Sequence, residues 1–235
     1  MISAGGLRVI GAGLPRTGTN SLRLALTRLL GGSCHHMFSV KDDPAQARDW
    51  VRAFGGDLSG VHARLAGCVA TVDWPSACFW RELLAAHPAA VVVLSVRSSP
   101  DVWWRSFDAT VLERKRHPEV LPGDDGSFAV MRDLLLDRTF GSSWTSAQGA
   151  MVRYSQHNAQ VRAQCPAERL VTWEPADGWG PLCATLGVPE PAEAFPRTNS
   201  TGEFHVRGSA AGGVAPGPAA GENAVGDGQA AHVGA

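Results

Sequence analysis

Apolar runs and amphipathic runs alternate along the chain, and their order predicts its elements. Residues 7–14 (LRVIGAGL) form a short, nearly continuous apolar run, which reads as a buried strand. The following SLRLALTRLL places Leu22, Leu26, Leu29 and Leu30 on one helical face, with Thr19 or Asn20 positioned as N-cap. Residues 33–37 read as a second short strand, and residues 44–54 and 58–65 as helices. A strand at residues 69–72 ends at Asp73-Trp74-Pro75, and a helix capped by Ser76 follows until His87-Pro88 stops it. Residues 90–96 (AVVVLSV) are the strongest strand, apolar throughout as a doubly covered strand requires.

Pro100 opens a further helix carrying Trp103, Trp104, Ser106 and Phe107. A polar, loop-like stretch spans residues 117–126. Helices are predicted near residues 128–138 and 144–164, a last strand at 169–173 (RLVTW) and a last helix at 179–186. Strands alternating with helices imply a three-layer α/β/α domain with a mainly parallel central sheet and a strand–P-loop–helix phosphate site.

Composition sets the limits of that domain. Residues 208–235 hold Gly, Ala, Pro and small polar residues, with no aromatic residue and no Leu, Ile or Met. Such a segment cannot bury enough apolar surface to offset its ordering entropy, so a disordered tail is expected after a domain of residues 1–207. The 21 basic and 22 acidic residues give a net charge of −1, without the broad positive field of a nucleic-acid binder. The five cysteines are widely spaced and include no CxxC pair, so reduced thiols of a cytoplasmic protein are expected. No segment is long and apolar enough for a membrane span, and the N-terminus lacks a signal-peptide pattern.

The first strand-to-helix turn, Gly13-Leu14-Pro15-Arg16-Thr17-Gly18-Thr19-Asn20, has the makings of an anion site. It offers free backbone N–H groups at the positive end of a helix dipole. The ATPase loop GxxxxGK[ST] fails here, because Thr19-Asn20 follow Gly18 where Lys and Ser or Thr should stand. The dinucleotide fingerprint GxGxxG fails at Arg16.

PRTGT followed by a helix-opening Ser resembles the 5′-phosphosulfate loop of the sulfotransferase family, whose donor is PAPS (3′-phosphoadenosine 5′-phosphosulfate). The family's second mark, a strand ending in Arg with a Ser on the next helix, is matched by Val96-Arg97 and Ser106. The intervening SSPDVWWR resembles a bacterial branch. Thr71–Pro75 (TVDWP) stands where many members carry a catalytic His. Residues 169–189 and FPRTN at 195–199 resemble the family's late strand–helix and closing loop, so the likeness runs from about residue 7 to residue 204. The RKG motif of animal cytosolic members is absent.

The resemblance implies a sulfuryl transfer from PAPS to a hydroxyl or amine of a small-molecule acceptor, releasing PAP, with no metal. It implies that Pro15, Arg16, Thr17, Gly18, Thr19 and Asn20 hold the 5′-phosphosulfate. Arg97 and Ser106 would hold the 3′-phosphate, with Arg105 as a competing ligand. Arg16 is the candidate for stabilising the leaving phosphate. Asp73 is the candidate base, with His35 and His36 as rivals for that role. Adjacent His side chains on a strand point to opposite faces, which argues against a Cys-His-His metal site. A P-loop small-molecule or nucleoside kinase, and a non-catalytic PAP-binding member of the family, are the alternative readings.

Overall fold

The structure is a computed structural model that describes residues 6–41, 43–118 and 125–198. The tail expected at residues 208–235 lies outside the described residues.

Five parallel strands form one sheet in the order β2-β3-β1-β4-β5. They are β1 (Val9–Gly11), β2 (Ser33–His35), β3 (Cys68–Thr71), β4 (Val91–Ser95) and β5 (Leu170–Trp173). Helices α1 (Thr19–Leu30), α2 (Met37–Lys41), α3 (Pro44–Phe54) and α4 (Ser59–Leu65) lie between β1 and β3 in sequence. After β3 come α5 (Trp80–Ala86), α6 (Pro100–Phe107), α7 (Glu113–Arg116), α8 (Ser127–Phe140), α9 (Ala147–Gln164) and α10 (Gly180–Leu186).

Alternation along the strands divides the core into two halves. Val92 and Leu94 of β4 join Trp50 of α3, Trp103 of α6, Leu135 of α8 and Tyr154 of α9. Val93, between them, joins Leu22 and Leu26 of α1 and Leu182 of α10 on the other face. A residue period of two sends neighbouring side chains to opposite faces, so each strand needs helices above and below. The layers are therefore α/β/α. The all-apolar β4 is the strand that such burial demands.

β1 pairs with β3 on one side and with β4 on the other. The chain reverses its direction of travel across the sheet there, and parallel α/β folds bind ligands outside the strand ends at such a point. The loops leaving β1, β3 and β4 carry the candidate residues.

Several boundaries depart from the sequence expectation. Gly18, at φ 88°, occupies the N-cap of α1, and no side chain caps that helix. Thr19 and Asn20, the expected caps, lie inside its first turn. The second strand stops at His35, and Met37 opens a helix instead of ending the strand. Ser76 does not cap a continuous helix. It begins a 3-10 turn, Ser76–Phe79, before α5, and its hydroxyl is paired with that of Thr71. Between α6 and α7 the chain makes a π-helical turn, Asp108–Leu112. Within it the Thr110 hydroxyl donates to the Ser106 carbonyl at 2.5 Å, a side-chain bond of the kind that bends helices. All five cysteines are free thiols.

Candidate active site

The phosphate loop is held from beneath by side chains far away in sequence. Thr17 donates its hydroxyl to the Leu14 carbonyl at 2.7 Å and lies 2.6 Å from the Ser95 hydroxyl at the end of β4. Trp103 Nε1 donates to the Pro15 carbonyl at 2.9 Å, and His157 Nε2 to the Ala12 carbonyl at 2.8 Å. Two glycines are required by this packing. A Cβ at Gly13 would lie 2.0 Å from Ser95 Oγ, and one at Gly18 would lie 2.5 Å from Pro175 Cγ in a left-handed conformation.

Two residues other than glycine have positive φ, Arg16 at 72° and Asp73 at 70°. A left-handed conformation is costly for side chains with a Cβ, and such positions cluster at functional sites. Arg16 and Asp73 are also both nearly inaccessible, at 6% exposure each. Burial lowers Arg16 to a pKa of about 10, with the Asp73 charge opposing and the charges of Arg97 and Arg114 assisting. Arg16 is still a cation at neutral pH. Burial raises Asp73 to about 7, against the pull of the Trp74 N–H, the Arg16 cation and the Thr19 hydroxyl.

His36 completes this cluster. Its Nε2 lies 3.1 Å from Asp73 Oδ2 and 3.3 Å from the Thr19 hydroxyl. The Phe38 backbone N–H donates to His36 Nδ1 at 3.2 Å, which leaves the ring proton on Nε2. Burial first, then the charges of Arg23, His35 and Arg16, hold its pKa well below the ordinary value, so the ring is neutral. Asp73 Oδ1 is buried without a hydrogen-bond partner among the described residues.

The neighbouring histidine faces elsewhere. His35 Nε2 meets Gln46 Oε1 of α3 at 3.2 Å, and its ring lies 5.8 Å from that of Trp50.

The candidate ligands for a second phosphate converge on the same loop. Arg16 Nε donates to Ser106 Oγ at 3.0 Å, and Arg97 Nε donates to the Arg16 carbonyl at 2.7 Å. The Arg97 backbone N–H donates to the Tyr154 hydroxyl at 3.0 Å. Arg105 is exposed on the surface of α6. Asn20 Nδ2 donates to the Thr198 hydroxyl at 2.7 Å, and Ser21 Oγ accepts from the Thr198 N–H at 3.0 Å. The segment ending in Thr198 thus closes over the start of α1.

Arg16, Thr19, His36, Asp73, Arg97 and Ser106 therefore meet at one end of the sheet, and His35 does not join them. Tyr154 and His157 had no local motif to mark them, whereas Trp103 stands in SSPDVWWR and Thr198 in FPRTN. Tyr154 is the single tyrosine of the chain, which is the one signal that could have singled it out. Among the described residues no group of His, Cys, Asp and Glu is arranged to hold a metal.

A parallel α/β/α sheet with a phosphate loop at its switch point and paired arginines above it defines an anion-handling α/β protein. The chain belongs to the sulfotransferase family: the family model described as Sulfotransferase domain matches residues 8–204. A curated relative, "Ava biosynthesis cluster protein M" of Aspergillus versicolor, is 30% identical over 209 residues, covering 81% of this chain and 80% of that one. Family membership supports a sulfotransferase activity in general. Among the described residues no helix is long and apolar enough to cross a membrane.

Proposed function

We propose that this protein transfers the sulfuryl group of PAPS to a hydroxyl or amine of a small molecule, releasing PAP. The observation that carries the reading is the joint burial of Arg16 and Asp73, whose charges act on one another, with one carboxylate oxygen of Asp73 lacking a partner among the described residues. A cation placed for a leaving phosphate and a base beside it are the two groups an in-line transfer needs.

The residues suit the donor. The N–H groups of Thr17, Gly18, Thr19 and Asn20 stand at the N-terminus of α1, where anions are favoured. Arg16 supplies the positive charge that the bridging oxygen of the 5′-phosphate needs as its bond to sulfur breaks. Arg97 and Ser106 supply a planar guanidinium and a hydroxyl for the 3′-phosphate.

Asp73 Oδ1 accepts the acceptor's proton as the new oxygen–sulfur or nitrogen–sulfur bond forms. A pKa of about 7 makes its carboxylate a far better base than a solvated one, since base strength is best matched near the working pH. Neutral His36 sets its Nε2 3.1 Å from Oδ2 and hydrogen-bonds the Thr19 hydroxyl, so it helps position the carboxylate's surroundings. His35 acts in packing.

The relative's name assigns that protein to a biosynthesis cluster. Carried over, it favours an intermediate of secondary metabolism as the acceptor here. We place the catalytic unit in residues 1–207 and the protein in the cytoplasm. Incubating the protein with PAPS and panels of phenols, alcohols and amines tests the reading. Transfer appears as a mass gain of one sulfuryl group on an acceptor with equimolar PAP. Absence of PAP formation and of PAP binding would overturn it.

A further inference from the structure

A second cationic cleft opens away from the phosphate loop, between α5, α8 and α9. Its volume is about 100 Å³, and it is lined by Trp80, Arg81, Arg138, Arg153, Gln156 and Gln160, among others. None of the residues assigned above to donor binding or proton transfer lines it.

Its charge is one-sided. Three arginines line it and, among the described residues, no acid does. Glu82, outside the lining, pairs with Arg138 at 2.6 Å. Arg81 Nε donates to the neutral Gln164 amide at 2.5 Å, and Arg153 Nη1 to the neutral Gln156 amide at 3.4 Å. One carboxylate thus answers three guanidinium groups. His157, which also lines the cleft, has its pKa lowered by burial and turns its Nε2 to the Ala12 carbonyl.

Two donors of this lining are left unanswered. Trp80 is 2% exposed, and its Nε1–H is buried without a hydrogen-bond partner among the described residues. Arg153 Nε is buried in the same condition. A buried N–H without an acceptor is costly, and a bound acceptor removes the cost.

We propose that this cleft is a second anion site, built for a tetrahedral dianion, a phosphate or sulfate, either free or as the end group of a small metabolite. Guanidinium forks, an indole N–H and two side-chain amides are donors matched to several oxygens of one such group. With Glu82 answering one of the three positive charges, a dianion balances the other two, whereas a monocarboxylate leaves one unanswered. The site is independent of the donor reading, because it shares no residue with it.

Crystals of the full chain soaked in selenate, a sulfate analogue with an anomalous signal, test this directly. A peak among Arg81, Arg138 and Arg153 is expected, and an empty cleft beside an occupied phosphate loop overturns the proposal. In solution, sulfate, phosphate and p-nitrophenyl phosphate are titrated calorimetrically at constant ionic strength, with chloride as the control. Arg81→Gln and Arg153→Gln should each weaken this site by about tenfold or more, as loss of a charge-assisted contact does. Equal affinity for the inorganic ions and the ester points to a free ion, and a clear preference for the ester points to a phosphorylated or sulfated metabolite. Isotherms unchanged by both substitutions overturn the site. Should either variant lose its melting transition in chloride buffer, the selenate map of the unaltered protein decides.

Discussion

His36 Nε2 lies 3.1 Å from Asp73 Oδ2 and hydrogen-bonds the Thr19 hydroxyl at 3.3 Å, while the Phe38 backbone N–H occupies Nδ1. On the proposed function the two side chains divide the work: the ring positions, and the carboxylate keeps Oδ1 for the acceptor. Neutral His36 in this tautomer has no free lone pair with which to take a proton.

Asp73→Asn should lower turnover by about a hundred- to ten-thousand-fold, the range that general-base catalysis supplies. PAP affinity should be nearly unchanged, since the proposed function assigns both phosphates to other residues. His36→Gln should cost less turnover and move the pH profile, because it alters the surroundings of Asp73 without removing it. His35→Ala should lower the melting temperature and leave kcat almost intact. Steady-state kinetics with PAP titration checks all three, and a dead His36→Gln beside an active Asp73→Asn would reverse the roles.

The raised pKa of Asp73 has two consequences of opposite sign. The base form appears as pH rises through about 7, so kcat should climb across that value and level off above it. Stability should move the other way. The folded protein keeps a proton that the unfolded chain releases at its ordinary carboxylate pKa of 3.8, so this group's contribution falls as pH rises from there to about 7. Asp73→Asn, which stays uncharged, should gain in melting temperature relative to the parent protein between about pH 5 and pH 8. Melting scans at several pH values test the sign.

On the proposed function Arg97 distinguishes the two phosphates of the nucleotide. Arg97→Ala should weaken PAP by tenfold or more, because a charge-assisted contact is worth about 1.5–3 kcal/mol. AMP, which lacks the 3′-phosphate, should bind the variant almost as it binds the parent. Ser106→Ala should follow the same pattern with a smaller loss, although Ser106 also accepts from Arg16 Nε. Equal losses for both nucleotides in calorimetry would remove Arg97 from the 3′-phosphate site.

Residues 208–235 offer no large apolar side chain beyond three valines, whereas Thr198 already bonds Asn20 and Ser21. A chain ending at Arg207 should keep its melting temperature and its PAP affinity. A drop in either would assign a folded role to the last residues.

Much of this protein was legible in its letters. Helix α3 starts at Pro44 and ends at Phe54 as its pattern predicts, because Asp43 accepts from the Ala45 and Gln46 N–H groups and proline opens the first turn. The unbroken apolar run of β4 announced a strand covered on both faces. The loop from Gly13 to Asn20 and the strand-end Arg97 pointed to anion chemistry, since glycines, a helix start and a guanidinium are local features.

Tertiary contacts decided the rest. The cap of α1 fell to Gly18, because a left-handed turn lodged against Pro175 excludes any Cβ there, and this freed Thr19 and Asn20 to meet His36 and Thr198. Whether His35 or His36 faces the cleft depends on strand register, which no residue type encodes. The pKa of Asp73 is likewise a property of its surroundings. It is raised by burial and restrained by Arg16, Thr19 and the Trp74 N–H. Local periodicity reports which face of an element is apolar. Only the assembled sheet brings residues 16, 36, 73 and 106 within reach of one another, and desolvation acts on a charge only after that assembly has removed its water.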